Sequence, residues 1–284
     1  MSTGATVRGL VSACHPGPTA VVTALSAALL LGTGATARTA LLATAAVLTG
    51  QLSIGWSNDW LDAGRDATAV RRDKPSVRGV VSVALLRAVA VVAAVLCVAL
   101  SLATGVRPGL VHLVAVAVAW AYNLRLKDSV WSWAPYAVSF GLLPVFLVMT
   151  LPGQPLAAAW AVGCAAFLGT GAHVANVLPD LEDDAATGVR GLPHRIGRRR
   201  SGQLAPALLV VGVAFGVLGT LHAPGGLPAL GVIGVGAVAA VLAVDAGVLA
   251  VTRPRSRAPF GLSMTVAGLC VLLLVFSGSS LVSA

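Results

Sequence analysis

The chain has 284 residues, of which 57% are hydrophobic and only 29 carry a formal charge. So little polar surface excludes a water-soluble globule. At about 20 apolar residues per helical crossing, this content furnishes roughly eight spans, and interfacial and loop residues extend that to nine. The expected fold class is therefore all-α, a polytopic membrane protein organised as one transmembrane domain over residues 1–284. The net charge of +9 does not point to nucleic acid, because the bases punctuate apolar segments and form no single basic domain. Cys14, Cys97, Cys164 and Cys270 are spaced too widely for a zinc or redox motif and read as small apolar fillers.

Apolar runs bounded by charge, Pro or Gly predict helices near 18–36, 38–57, 78–104, 108–124, 133–151, 155–178, 203–221, 225–251 and 259–282. The first is read as a span and not as a secretory signal, since another apolar run follows almost at once. Sixteen of the nineteen Lys and Arg residues fall in alternate connections: Arg8; Arg65 to Arg78; Arg125 and Lys127; Arg190 to Arg200; Arg253 to Arg257. By the positive-inside rule that side is cytoplasmic, which puts the N-terminus inside the cell membrane and the C-terminus outside. Trp56, Trp60, Trp120, Trp131 and Trp133 cluster at the same boundary as interfacial anchors.

Nine of the ten carboxylates sit at or beyond cytoplasmic helix ends, so the chemistry is expected there. The second helix closes on Asn58, Asp59, Asp62 and Asp66, and steps of three and four put the Asp residues on one helical face. The sixth closes on Asn176, Asp180 and Asp184, spaced by fours, with Pro179 able to bend the stripe. Carboxylates at helix C-termini oppose the macrodipole and one another. A divalent cation reverses both effects, and Mg2+ takes oxygen ligands from carboxylates, phosphate and water. Bases follow each station, Arg71, Arg72 and Lys74 after the first and Arg190, Arg195 and Arg198 to Arg200 after the second. Carboxylates, metal and guanidinium groups together suit a diphosphate. Tyr122, Arg125 and Lys127, ending the fourth helix, are placed to complete the phosphate cradle. The acid-then-base order recurs 118 residues later and hints at an internal repeat.

The motifs Asn58-Asp-x-x-Asp62-x-x-x-Asp66 and Asn176-x-x-x-Asp180-x-x-x-Asp184 together resemble the paired signature of the UbiA superfamily of intramembrane prenyltransferases. The similarity extends to Asp73-Lys74-Pro75, to Tyr122 through Lys127 and to Gly191 through Gly197, and nine helices around a central cavity is that family's fold. The resemblance implies that a polyprenyl diphosphate sets its head between the two stations with Mg2+ while its tail lies in an apolar groove. The prenyl group then passes to an aromatic or lipid-headgroup acceptor and diphosphate is released. Asp62, Asp66, Asp180 and Asp184 are the expected catalytic residues, joined as metal ligands by Asn58, Asp59 and Asn176. Arg65, Lys74, Tyr122, Arg125, Lys127 and Arg195 are the expected diphosphate holders. Terpene cyclisation and phosphoribosyl transfer to a lipid phosphate use the same motifs. The rival from another class, an ion-coupled transporter, is disfavoured because such proteins place their acids near the midplane, where only Asp245 approaches. Arg87 and Asp245, each buried in depth within a span, are expected to pair with one another. His173, one turn before Asn176, reads as a hydrogen-bonded structural residue.

Overall fold

A computed structural model describes residues 3–69, 71, 74–223 and 228–282, so Arg72, Asp73 and the first residues of the expected 225–251 segment lie outside the described residues. It is helical almost throughout: α1 (Thr3–Ala13), α2 (Pro16–Gly32), α3 (Ala37–Thr68), α4 (Val83–Ala103), α5 (Val106–Leu124), α6 (Ala134–Met149), α7 (Ala159–Val177), α8 (Leu181–Ala186), α9 (Leu192–Leu221), α10 (Ala229–Thr252) and α11 (Ala258–Ser277). Nine of these, α2 to α7 and α9 to α11, fall on the nine expected apolar runs. Among the described residues six helices qualify by length and composition as membrane spans, and a seventh if α1 and α2, bent by 66°, count as one, so six or seven of the nine expected spans are supported. Helix α6 is apolar but shorter.

Local signals explain most boundaries. Pro16 occupies the first turn of α2, where its missing N–H is harmless, and His15 before it takes φ 54°. The Thr36 hydroxyl caps α3 by accepting from the Thr39 N–H, and Ser82 caps α4 by accepting from Leu85. This cap starts α4 five residues later than the expected 78. The apolar run ends near 57 but the helix does not: α3 runs on for 32 residues, so its last three turns carry Asn58 to Asp66 out of the apolar segment, on one helix end as expected. At the other station Pro179 interrupts the helix, and the 3-10 turn Leu178–Asp180 joins α7 to α8. Helix α9 starts at Leu192 and not near 203, with a break at Gly197, whose φ of 80° suits glycine.

Consecutive helices pack side by side, and α11 closes the ring by packing on α2 as well as α7, α9 and α10. The shared core includes Leu30, Val47, Phe146, Leu147, Leu209 and Leu274. Small residues set the spacing, as expected where lipid offers no hydrophobic drive for helices to associate. At Gly55 an added Cβ would stand 2.5 Å from the carbonyl oxygen of Cys14, so α3 touches the α1–α2 hinge backbone to backbone. Gly55→Ala is therefore expected to lower stability by about 1–3 kcal/mol, read as a drop in Tm in detergent.

The expected Arg87–Asp245 pair is not formed. Both side chains face outward, on α4 and α10, and no ion pair joins them among the described residues. Sequence gives the depth of a charge within a span but not the face that carries it.

Candidate functional site: two carboxylate stations joined by bases

The helix end that carries Asn58, Asp59, Asp62 and Asp66 meets three other segments. Asp59 is 1% exposed and lies 2.6 Å from Lys74 Nζ and 3.3 Å from His15 Nε2. Asp62 receives Arg65 at 2.5 Å and the Lys127 ammonium, which arrives from the short turn after α5. Arg65 also approaches Asp128 at 3.6 Å. Asn58 donates to the Oδ1 of Asn123 at 3.2 Å, and Asn123 in turn donates to the Ile54 carbonyl and the Ser57 hydroxyl, both at 2.9 Å. Asn123 thus clamps the end of α5 to α3.

The second station is tied to the first by Arg71. Its guanidinium lies 3.4 Å from Asp180 and 3.8 Å from Asp184, so a base from the loop after α3 reaches across to the end of α7. Arg257, from the connection between α10 and α11, adds a second cation 3.2 Å from Asp180. His194 Nε2 stands 3.9 Å from Asp184. Glycine allows the start of α9, which bears His194, to close on the first station, because a Cβ at Gly191 would meet the Lys127 carbonyl at 2.7 Å. The Leu192 N–H then donates to Ser132 at 2.9 Å.

Each carboxylate would repel its neighbours in an enclosed space, and the structure offsets this with Lys74, Lys127, Arg65, Arg71 and Arg257 against Asp59, Asp62, Asp66, Asp180 and Asp184. Burial lowers the Lys127 ammonium below its ordinary value, partly opposed by Asp62. Burial would do the same to Arg65, but Asp62 outweighs it and holds that group above its usual range. Asp66 is pushed up by burial, only partly offset by Lys74. Its Oδ2 is buried and has no hydrogen-bond partner. An orphaned carboxylate oxygen among four other carboxylates is a donor set that suits a hard divalent ion. Among the described residues, no three His, Cys, Asp or Glu side chains already converge as a ligand set; bases stand between them.

Burial raises Asp59, but the His15 hydrogen bond and the Lys74 charge outweigh it and hold the carboxyl below its ordinary 3.8. A carboxyl depressed on folding contributes stability that is present above the unfolded value and lost as pH falls through the folded one. Lys74→Met, which leaves Asp59 buried without its main partner, should cost about 3 kcal/mol at neutral pH. Thermal unfolding of the wild type below pH 4 should lose that margin, and the variant's acid dependence should be flatter.

The expected residues are not all brought together. Asn176 lies at the end of α7 beside Asp180, with no side-chain hydrogen bond among the described residues. Arg125 is exposed beside the buried Lys127, and Arg195 is exposed with its Nε donating to the Arg190 carbonyl at 2.8 Å, and neither touches a carboxylate among the described residues. Arg198 pairs with Glu182 at the periphery. Tyr122 faces inward, with its ring edge-on to Tyr136 at 5.1 Å and to His173 at 5.5 Å. His15 and Arg257 join the site with no role assigned to them from sequence, while Asn123 and His194 lie within the stretches Tyr122 through Lys127 and Gly191 through Gly197 without having been singled out there.

A ring of long apolar helices, with two acidic stations and their bases gathered at one end, defines a multi-pass membrane protein. The chain belongs to the UbiA prenyltransferase family, whose sequence profile matches residues 20–269. Solved structures share the fold. A UbiA homologue from Archaeoglobus fulgidus bound to GPP and Mg2+ is 16% identical, with a TM-score of 0.70 over 95% of this chain and 98% of that one. The apo UbiA homologue from Aeropyrum pernix K1 is 17% identical, with a TM-score of 0.74 over 90% and 96%. A digeranylgeranylglyceryl phosphate synthase is 16% identical, with a TM-score of 0.62 over 97% and 99%. No curated protein matches the sequence.

Proposed function

We propose that this protein transfers a prenyl group from an allylic polyprenyl diphosphate to an aromatic or lipid-headgroup acceptor at the cytoplasmic face of the membrane, with Mg2+, and releases diphosphate. The observation that carries this reading is the bridge made by Arg71, which holds Asp180 and Asp184 of one station from the loop that follows the other. The A. fulgidus homologue, bound to GPP or DMAPP together with Mg2+, supports the ligand class. In this reading α2 to α7 and α9 to α11 all cross the bilayer, with the N-terminus cytoplasmic and the C-terminus outside, as the distribution of Lys and Arg favours.

Asp62, Asp66, Asp180 and Asp184, with Asn58 and Asn176, would hold Mg2+, which would supply positive charge against the departing diphosphate. Asp59, enclosed with Lys74 and His15, supports the station from behind. Lys127 and Arg65 at Asp62, and Arg71 and Arg257 at Asp180, are charged groups already held at the stations. They exchange part of their hold on carboxylates for phosphate oxygens and stabilise the charge that gathers there as the allylic C–O bond breaks. Arg125 and Arg195 contribute positive potential at the surface. An apolar cavity of ≈ 130 Å³ between α2, α6, α7 and α11 suits the isoprenoid tail, with Phe140, Leu143, Leu168, Phe260 and Met264 among its walls.

The test is incubation of the purified protein in lipid nanodiscs with Mg2+ and prenyl diphosphates of several lengths, with and without phenolic and lipid acceptors. Diphosphate release coupled to a heavier, prenylated product is expected. A terpene hydrocarbon formed without acceptor would replace transfer by cyclisation, consumption of a phosphoribosyl diphosphate would change the donor, and no binding of any diphosphate would end the proposal.

A further inference from the structure

Two histidines are enclosed in the spans, and they differ. His112 is satisfied, with its Nδ1 2.7 Å from the Ser101 hydroxyl and its ring stacked on Phe146 at 4.4 Å. That is a structural residue on the half of the bundle away from the carboxylates. His173 is 1% exposed, and neither ring nitrogen has a hydrogen-bond partner. Its ring stacks on Tyr136 at 4.3 Å and meets Tyr122 edge-on at 5.5 Å. A histidine kept only for packing has no reason to stay polar here, since Phe fills the same stacked slot with no unsatisfied nitrogen.

The surroundings set its chemistry. Tyr122 from α5, Tyr136 from α6 and His194 from α9 are the titratable groups that act on it, and His194 leans toward Asp184 of the second station. His173 itself lies one turn before Asn176 on α7. The imidazole is therefore enclosed between two aromatic rings, with His194 linking it to Asp184 of the second station. A neutral imidazole offers one donor and, on the other ring edge, one basic acceptor nitrogen, and a hydroxyl can give its proton to the latter.

Resting on the transfer reading above, we propose that His173 is the acceptor-binding residue and that the acceptor presents a hydroxyl to it. The allylic C–O bond breaks with its electron pair going to diphosphate, the acceptor forms a new bond to the prenyl C1, and the proton lost by the acceptor hydroxyl goes to the free imidazole nitrogen of His173. Tyr122 and Tyr136 fix the ring plane and keep the slot narrow.

The full-length protein in nanodiscs tests this with geranyl diphosphate and Mg2+, offered a phenol, a glycerol phosphate or water alone as the hydroxyl acceptor. Binding of a non-cleavable geranyl thiolodiphosphate is measured separately. His173→Phe and His173→Ala should bind the thiolodiphosphate within about twofold of wild type while capture by hydroxyl falls at least ~100-fold, the scale of a lost general base. Added imidazole should restore capture in His173→Ala, which a packing role would not allow. If Phe and Ala variants fail to fold, His173→Gln decides, because it keeps a donor and an acceptor but has no basic nitrogen. Capture at the wild-type rate in a folded variant overturns the proposal, as does a wild type that binds the thiolodiphosphate yet prenylates no hydroxyl acceptor. A wild type that does not bind it at all refutes the transfer reading instead.

Discussion

Asp62→Asn is expected to reduce diphosphate release by about 10³-fold while leaving a folded protein, because this side chain stands where three functions meet. It takes the Lys127 ammonium from the end of α5, it takes Arg65 from its own helix at 2.5 Å, and it is one of the carboxylates assigned to the metal. Asparagine preserves the size and the hydrogen-bonding oxygen but removes the charge that holds both cations in register. The neutral amide also leaves Lys127 as a buried, poorly compensated cation, so a modest fall in Tm should accompany the catalytic loss. Comparison with Asp183→Asn supplies the control, since Asp183 is exposed beside the second station and makes no ion pair among the described residues. Diphosphate release assays on both, with Tm recorded for each, check the expectation. Equal activity of Asp62→Asn and wild type would remove the first station from the chemistry.

What the sequence disclosed here was periodic, and what it hid was tertiary. Steps of three and four along Asp59, Asp62 and Asp66 place them on one helix end, and α3 does run unbroken through all three. The apolar runs locate the long helices because hydrophobic content changes sharply at each boundary. His15 and Arg257 were not legible, since they reach their carboxylates across 44 and 77 residues of sequence and nothing local marks them. Asn123 was hidden inside a stretch read for its tyrosine and bases, and its value lies in joining Ser57 and Ile54 of another helix. Facing was the weakest inference. Lys127 turns inward and Arg125 outward within one short turn, and likewise His194 and Arg195 diverge at the start of α9. Neighbouring residues on a helix point about 100° apart, so charge at the right boundary does not choose between them.

Chelation should have the other large effect. With EDTA in excess, turnover is expected to vanish and prenyl diphosphate binding to weaken, with both restored by added Mg2+. The reason lies in the charge balance of the site. Among the described residues five cations stand against the five station carboxylates, and Asp128 also lies beside Arg65, so an incoming diphosphate meets little net positive charge unless a divalent ion enters with it. Asp66 supplies a foothold, since its Oδ2 is buried with no hydrogen-bond partner and a carboxylate left so is favoured by a cation beside it. Asp66→Asn should therefore raise the Mg2+ concentration needed for half-maximal activity by roughly 10–100-fold, the scale on which metal sites respond to altered surroundings. The rate at saturating Mg2+ should suffer less than it does in Asp62→Asn, because Asp62, unlike Asp66, pairs directly with Arg65 and Lys127, two of the bases proposed to hold the leaving group. A Mg2+ titration of each variant separates the two roles: a rightward shift marks the metal foothold, and a lowered plateau marks loss of the cation register. Full turnover in EDTA would leave the cluster of carboxylates without a purpose and would point to a reaction that the bases perform alone.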